Sequence, residues 1–157
     1  MTRLIIGIDP GLASTGWGIL ESSGNKLRYI AHGCVETSPR TSHPERLLQT
    51  YNEIIQVINL YKPGEAAMES LFFGKNARSA MSVAEARGVV GLAMAQNNLI
   101  INEFQPRIIK QSVTGMATAS KEQVQEMVRM LLGLQEIPEP NHSADALAAA
   151  ITAANYR

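Results

Sequence analysis

The sequence predicts a mixed α/β fold built on a five-stranded sheet, and three observations lead to this prediction. Residues 3–9 form an almost continuous apolar run, which is typical of a strand buried on both faces. Two more strand-like runs follow at about 15–21 and 26–35, separated by a Ser-Ser-Gly-Asn turn. From about residue 42 onward, apolar residues mostly recur three or four positions apart, and these helical stretches alternate with two short strand-like runs.

The first half of the chain is predicted to form an antiparallel meander of three strands, followed by a helix. Residues 39–44 form the loop between them. Ser42 and Glu45 fit a capping box at the start of the helix. Apolar residues at helical spacing follow, and the Lys-Pro-Gly segment at 62–64 ends the helix.

The second half is predicted to contain the other two strands, at 66–69 and 99–104, with a long helix at 76–96 between them. This helix is rich in Ala, Met and Val and is apolar around much of its circumference. We therefore expect one side to pack on the sheet and the other to meet a partner subunit.

Three more helices are predicted after the last strand. Pro106 begins a short one. Ser120 and Gln123 form a second capping box before a helix that Gly133 closes. Asn141 is expected to be the N-cap of a final alanine-rich helix.

The composition is that of a folded cytoplasmic protein. The 157 residues, expected to form one domain over 1–157, suffice to bury a core. No apolar run reaches the roughly 20 residues that cross a bilayer, no signal peptide is recognisable, and Cys34 is the only cysteine. The formal net charge of +0 argues mildly against a nucleic-acid-binding protein, unless acidic residues at a metal site offset a basic face.

Two acidic residues end apolar strands. Asp9 closes the first strand just before Pro10-Gly11, and an ionised carboxylate there is costly unless it is paired or binds a cation. Glu69 closes the short strand Ala-Ala-Met-Glu. If the two strands are neighbours, both carboxylates emerge at one edge of the sheet, where ligands bind in open α/β folds. The alternatives are an aspartate that caps its own turn and an exposed strand-end glutamate.

His142 and Asp145 lie three residues apart at the start of the last helix, so both point to the same side. Asp145 is a lone acid on an otherwise apolar helix, although the helix dipole also favours an acid in that turn, and His142 alone would more often be a surface histidine. With Asp9 and Glu69, these residues could hold two Mg²⁺ ions that act on a phosphodiester. The sequence therefore predicts a magnesium-dependent nuclease.

Aromatic and basic residues are candidates for nucleic-acid contact. Phe72-Phe73 lie just after Glu69, and an exposed aromatic there can stack on an unpaired base, although we expect at least one of them to fold back onto the core. The basic candidates could each equally be a solvated surface cation. They are Lys75, Arg78, Arg87, Arg107, Lys110 and Lys121.

Six segments in order resemble the RuvC family of bacterial Holliday junction resolvases, over about residues 4–154. They are GIDPGLASTGWGI, MESLFFGKNARSA, EARGV, IKQSVTG, ASKEQVQEMV and HSADALAAAI. The resemblance implies a ribonuclease H-like fold, a homodimer formed through helix 76–96, and paired symmetric nicks in a four-way DNA junction that leave 5′-phosphate and 3′-hydroxyl ends. It also implies two Mg²⁺ ions, which Mn²⁺ can replace, and coupling to a branch-migration motor.

The resemblance also implies roles for single residues. Asp9, Glu69 and Asp145 correspond to metal ligands, with Asp9 bridging two ions, and His142 falls where many relatives have a fourth acid. In addition, Phe72 corresponds to a stacking aromatic, and Lys110 and Lys121 correspond to lysines that contact phosphate or stabilise the transition state.

Three other functions fit part of the sequence. The Gly-Ile-Asp-x-Gly segment also begins the phosphate loop of actin- and hexokinase-like ATPases, but a second glycine-rich phosphate loop is missing. A protein that binds junctions without cutting them is favoured only by His142. A ribonuclease H-like enzyme acting on RNA is less consistent with the Phe72 loop and the long apolar helix.

Overall fold

A five-stranded mixed sheet forms the centre of the fold, with helices packed on both of its faces. The structure is a computed structural model and describes residues 1–71 and 77–156. The strands are β1 (Thr2–Asp9), β2 (Ser14–Ser23), β3 (Lys26–Glu36), β4 (Glu65–Glu69) and β5 (Ile100–Phe104). The helices of the described part are α1 (His43–Tyr61), α2 (Ala77–Gln96), α3 (Pro106–Thr114), α4 (Lys121–Leu131) and α5 (Asn141–Asn155).

The strand order is β3-β2-β1-β4-β5. The first three strands pair antiparallel, whereas β4 pairs parallel with both β1 and β5. This arrangement confirms the predicted meander joined to a parallel part. Ile8 is opposite Met68 in the β1–β4 pair, so the next residues, Asp9 and Glu69, leave the sheet at the same edge.

Alternate residues of the central strand face two different cores. Ile6 and Ile8 pack with α1 and α2 on one face of the sheet. Ile5 packs with α3, α4 and α5 on the other. Because side chains alternate along a strand, Asp9 shares the face of Ile5 and therefore projects toward α5.

Two glycines in the sheet let α5 lie directly on the strands. A β-carbon on Gly7 would lie 1.8 Å from the backbone oxygen of Ala146, and one on Gly18 would lie 2.5 Å from the Leu147 side chain. These two glycines are opposite each other in the β1–β2 pair. The close approach explains how α5, although rich in small alanines, is buried along most of its length.

The structure corrects the predicted start of this helix. Asn141 is its first residue rather than its N-cap, and Pro140 occupies the cap position without a side-chain hydrogen bond. A tertiary contact fixes the helix start instead, because Ser143 is fully buried and its hydroxyl donates to the backbone oxygen of Gly33 at 2.8 Å. The predicted first residue of the long helix, Asn76, lies outside the described residues.

None of the helices within the two described ranges combines the length and apolar character needed to cross a bilayer.

Candidate metal centre

Asp9, His142 and Asp145 form a compact group where the end of β1 meets the first turn of α5. Each offers one potential ligand atom, and these atoms all lie within 4.8 Å of one another. Nδ1 of His142 is 2.8 Å from Oδ2 of Asp9, a hydrogen-bonding distance. The structure thus brings together three residues that are up to 136 positions apart in the sequence.

Gly16 explains why Asp9 and His142 can meet. It is opposite Asp9 in the β1–β2 pair, and a β-carbon there would lie 2.1 Å from the backbone oxygen of His142. Ser143 fixes the next position of α5 to Gly33 of β3. Sequence reasoning missed Gly16 and Ser143 as determinants of the site. The available signal was the pair of glycines in Thr-Gly-Trp-Gly, since glycine inside a strand often marks a close backbone approach.

Glu69 faces the same cavity from β4 but does not belong to the group within 4.8 Å. Much of this residue is accessible to solvent. Partial burial of its carboxyl group in the cavity nevertheless raises its pKa above the usual 4.5, and the charges of Asp9 and Asp145 add to the rise. Lys110 and Lys121 act in the opposite direction.

The pKa values of Asp145 and His142 are also raised, in part by nearby negative charge. Burial is the largest cause of the raised pKa of Asp145, followed by the charge of Asp9. The hydrogen bond to Asp9 is the largest cause of the raised pKa of His142, and the charges of Asp9 and Asp145 contribute further. Ionisation of Glu69 and Asp145 is thus disfavoured, and a bound cation would relieve the repulsion between these carboxylates.

The cavity has a volume of about 380 Å³ and also contains positive charge. Asp9, Glu69 and Asp145 line it together with Lys110 and Lys121. Lys121 Nζ lies 3.2 Å from Oδ2 of Asp145. Carboxylate oxygens and an imidazole nitrogen are suitable ligands for divalent cations, and the lysines can neutralise a phosphate beside them. The donor set therefore fits a divalent metal bound next to a phosphodiester.

Only some of the residues predicted to contact DNA line the cavity. Lys110 and Lys121 line the cavity. Arg78 and Arg107 are exposed and do not line it. Phe72, Phe73 and Lys75 lie outside the described residues. The interpretation of a solvated surface cation is wrong for Arg87, whose side chain is only 13% exposed because it pairs with Glu103 and with backbone at the end of β4.

The family model described as Crossover junction endodeoxyribonuclease RuvC matches residues 5–153. The chain belongs to the RuvC family. The RuvC of Treponema denticola is 54% identical over 151 residues, covering 96% of this chain and 85% of that relative. The RuvC of Caldicellulosiruptor saccharolyticus is 49% identical over 148 residues, with 94% and 89% covered. These matches confirm the resemblance seen in the six sequence segments.

Solved RuvC structures share the fold. Thermus thermophilus RuvC, in a complex with Holliday junction substrate, superposes with a TM-score of 0.92 at 35% identity, covering 98% of this chain and 94% of that one. The fowlpox virus resolvase superposes with a TM-score of 0.60 at 10% identity, a likeness of fold alone. The predicted ribonuclease H-like class, a five-stranded mixed sheet flanked by helices, is thereby confirmed.

Proposed function

We propose that this chain is a divalent-metal-dependent endonuclease that resolves Holliday junctions. It cuts two opposed strands of the four-way junction at symmetric positions and leaves 5′-phosphate and 3′-hydroxyl ends. The single observation that carries the proposal is the cavity in which three carboxylates and two lysines meet, with the His142 imidazole beside Asp9, in a member of the RuvC family. The reaction serves recombination and DNA repair, in the cytoplasm, and residues 1–157 form one nuclease domain.

Asp9, Glu69, His142 and Asp145 would hold two Mg²⁺ ions, with Asp9 shared between them and Mn²⁺ as an effective replacement. Such ions supply Lewis-acid stabilisation of the charge on the phosphodiester. Asp9 is the residue best placed for sharing, because it contacts His142 directly and its charge acts on both Glu69 and Asp145. His142 would act as a ligand in its neutral form.

The lysines and the segment after Glu69 bind the DNA. Lys110 and Lys121 would contact phosphate oxygens, since both line the cavity that holds the carboxylates. Phe72 would stack on an unpaired base at the junction centre, and Phe73, Lys75 and Arg78 would make further contacts with the DNA.

The protein acts as a homodimer through α2, which gives two active sites for two opposed strands. One side of α2 is buried through Ala86, Val90 and Met94. The other side leaves large apolar side chains in water, with Met81 66% and Leu92 56% exposed. A second copy of the same helix would cover them, and a branch-migration motor would then associate with the dimer on the junction.

Product analysis tests this proposal. The protein is incubated with Mg²⁺ and either a synthetic four-way junction or a linear duplex of one arm's sequence. We expect only the junction to be cut, into two nicked duplexes that DNA ligase can seal. Junction binding without cleavage in Mg²⁺ or Mn²⁺ would identify a recognition protein and overturn the nuclease assignment.

A further inference from the structure

Arg87 connects α2 to the residue that carries one of the proposed metal ligands. One terminal nitrogen of its guanidinium donates to the backbone oxygen of Glu69 at 2.5 Å. The other terminal nitrogen lies 3.0 Å from Oε2 of Glu103. The Arg87 side chain is 13% exposed, whereas that of Glu103 is 51% exposed. The guanidinium is thus held between the ends of β4 and β5.

The end of β4 needs such support. This strand has five residues, and its last partner on β1 is Ile8, opposite Met68, so Glu69 lies beyond the ladder on that side. On the other side, Glu69 is opposite Phe104, and Ser70 donates to the oxygen of Phe104. A residue at a strand end has more freedom than one in mid-strand. The bond from Arg87 limits that freedom at the residue whose carboxylate must enter the cavity.

Arg87 is itself held in place by the packing of α2. Its neighbour Ala86 and the next residues on the same side, Val90, Ala93 and Met94, are fully buried against the sheet. Moreover, arginine can donate to a carbonyl and to a carboxylate at once through its planar fork, which lysine cannot reproduce.

We infer that Arg87 is a positioning residue that sets the backbone of Glu69 so that its carboxylate completes the metal centre. This rests on the proposed metal centre and goes beyond it, because it assigns the geometry of the centre partly to α2. Glu103 then serves to orient the guanidinium, and its charge is of secondary importance for metal binding.

Metal binding without DNA tests the inference independently of cleavage. Mn²⁺ titrations followed by electron paramagnetic resonance compare the wild type with Arg87→Gln, Arg87→Lys and Glu103→Gln. Arg129→Gln is the matched control, since Arg129 also pairs with a glutamate, Glu126, and donates to a backbone oxygen, that of Leu134, but away from the cavity.

Arg87→Gln should weaken Mn²⁺ binding roughly tenfold, the lower end of the range for residues that orient metal ligands. Arg87→Lys should fall between Arg87→Gln and the wild type, because an ammonium can still donate to the Glu69 oxygen, and this variant decides the matter if Arg87→Gln does not fold. Glu103→Gln and Arg129→Gln should stay within about twofold of the wild type, whatever their melting temperatures.

Wild-type Mn²⁺ affinity in both Arg87 variants would overturn the inference. Equal losses of Mn²⁺ affinity in Arg87→Gln and Glu103→Gln would also overturn it, because Arg87 would then act only as the partner of Glu103 in an ion pair. Failure of the wild type to bind Mn²⁺ would instead remove the proposed metal centre itself, so the two failures are distinguishable.

Discussion

A β-carbon on Gly16 would lie 2.1 Å from the backbone oxygen of His142. No side chain can occupy that space without moving either β2 or the start of α5. Since Gly16 is also opposite Asp9 in the sheet, the same close contact sets how near His142 comes to Asp9. The proposed metal centre therefore depends on a residue that offers no ligand.

Gly16→Ala should displace the start of α5 and disrupt the centre. We expect overpacking to cost about 1–3 kcal/mol of unfolding free energy, and a ligand displacement of around 1 Å to lower junction cleavage by roughly 100-fold. Chemical denaturation and single-turnover cleavage measure the two effects. Gly64→Ala is the control, because the nearest atom to its β-carbon would be the Leu4 oxygen at 3.9 Å. Wild-type cleavage in Gly16→Ala would show that the contact is dispensable.

Asp145→Asn should make the metal-free protein more stable while abolishing cleavage. The pKa of Asp145 is raised, by burial first and then by the charge of Asp9, so its ionised form is disfavoured in the folded state. Removing that charge relieves the repulsion even though the pair with Lys121 is lost. Melting temperatures in EDTA measure the effect. Mg²⁺ should raise the melting temperature of the wild type more than that of Asp145→Asn.

The pH dependence of that difference has a definite sign. A carboxyl whose pKa is raised on folding destabilises the protein in full above its folded pKa, and the penalty vanishes as the pH falls toward the unfolded value, 3.8 for an aspartate. The stability advantage of Asp145→Asn should therefore be large at pH 8 and shrink toward pH 4. A lower melting temperature for the variant at pH 8 in EDTA would contradict the charge repulsion that favours a metal here.

The fold was largely predictable from local patterns. The apolar run of β1, the capping boxes at Ser42 and Ser120, and the proline at 106 each gave the right element within a few residues. These patterns predict the elements because each depends on interactions within a single helical turn or a single strand. Asn141 failed as an N-cap for the opposite reason, since the start of α5 is fixed by a contact between Ser143 and Gly33, which are 110 residues apart.

For the site, the sequence predicted which residues could bind a cation but not the tertiary contacts that bring them together. Asp9 at the end of a buried strand indicated a cation, and His142 with Asp145 indicated a shared helix face. The role of Arg87 was not accessible, because its surroundings come from β4 and β5 and its own helix shows only an ordinary basic residue. Gly16 could have been found from its place inside a strand, but its partner at His142 could not.

Lys121→Gln should weaken both junction binding and cleavage. Lys121 lines the cavity and its side chain is 53% exposed, so its ammonium can reach a phosphate there although it also pairs with Asp145. Loss of one phosphate contact should reduce the slope of log Kd against log salt by about 1. Lys26→Gln is the control, because Lys26 is exposed at the β2–β3 turn and does not line the cavity. If log Kd depends on log salt with the same slope in the wild type and in Lys121→Gln, Lys121 does not contact a phosphate.

Leu92→Glu should convert the proposed dimer into a monomer. Leu92 lies on the exposed side of α2 and is 56% exposed, so a charge there costs little in the free chain but opposes burial against a second copy. Sedimentation equilibrium measures the mass. Leu60→Glu is the matched control, since Leu60 is 73% exposed on α1. A wild type that sediments as a monomer would remove the proposed dimer, and an unchanged mass for Leu92→Glu would place its interface elsewhere.

Asp9 is expected to organise the metal centre that cuts junction DNA, and replacing its carboxylate with an amide should separate cutting from binding. Wild type and Asp9→Asn are incubated with an end-labelled four-way junction and Mg²⁺, and binding and cleavage are measured on the same samples. We expect Asp9→Asn to bind the junction within a fewfold of the wild-type affinity and to leave it uncut. Cleavage by Asp9→Asn at a rate close to that of the wild type would show that the Asp9 carboxylate is not needed for cutting.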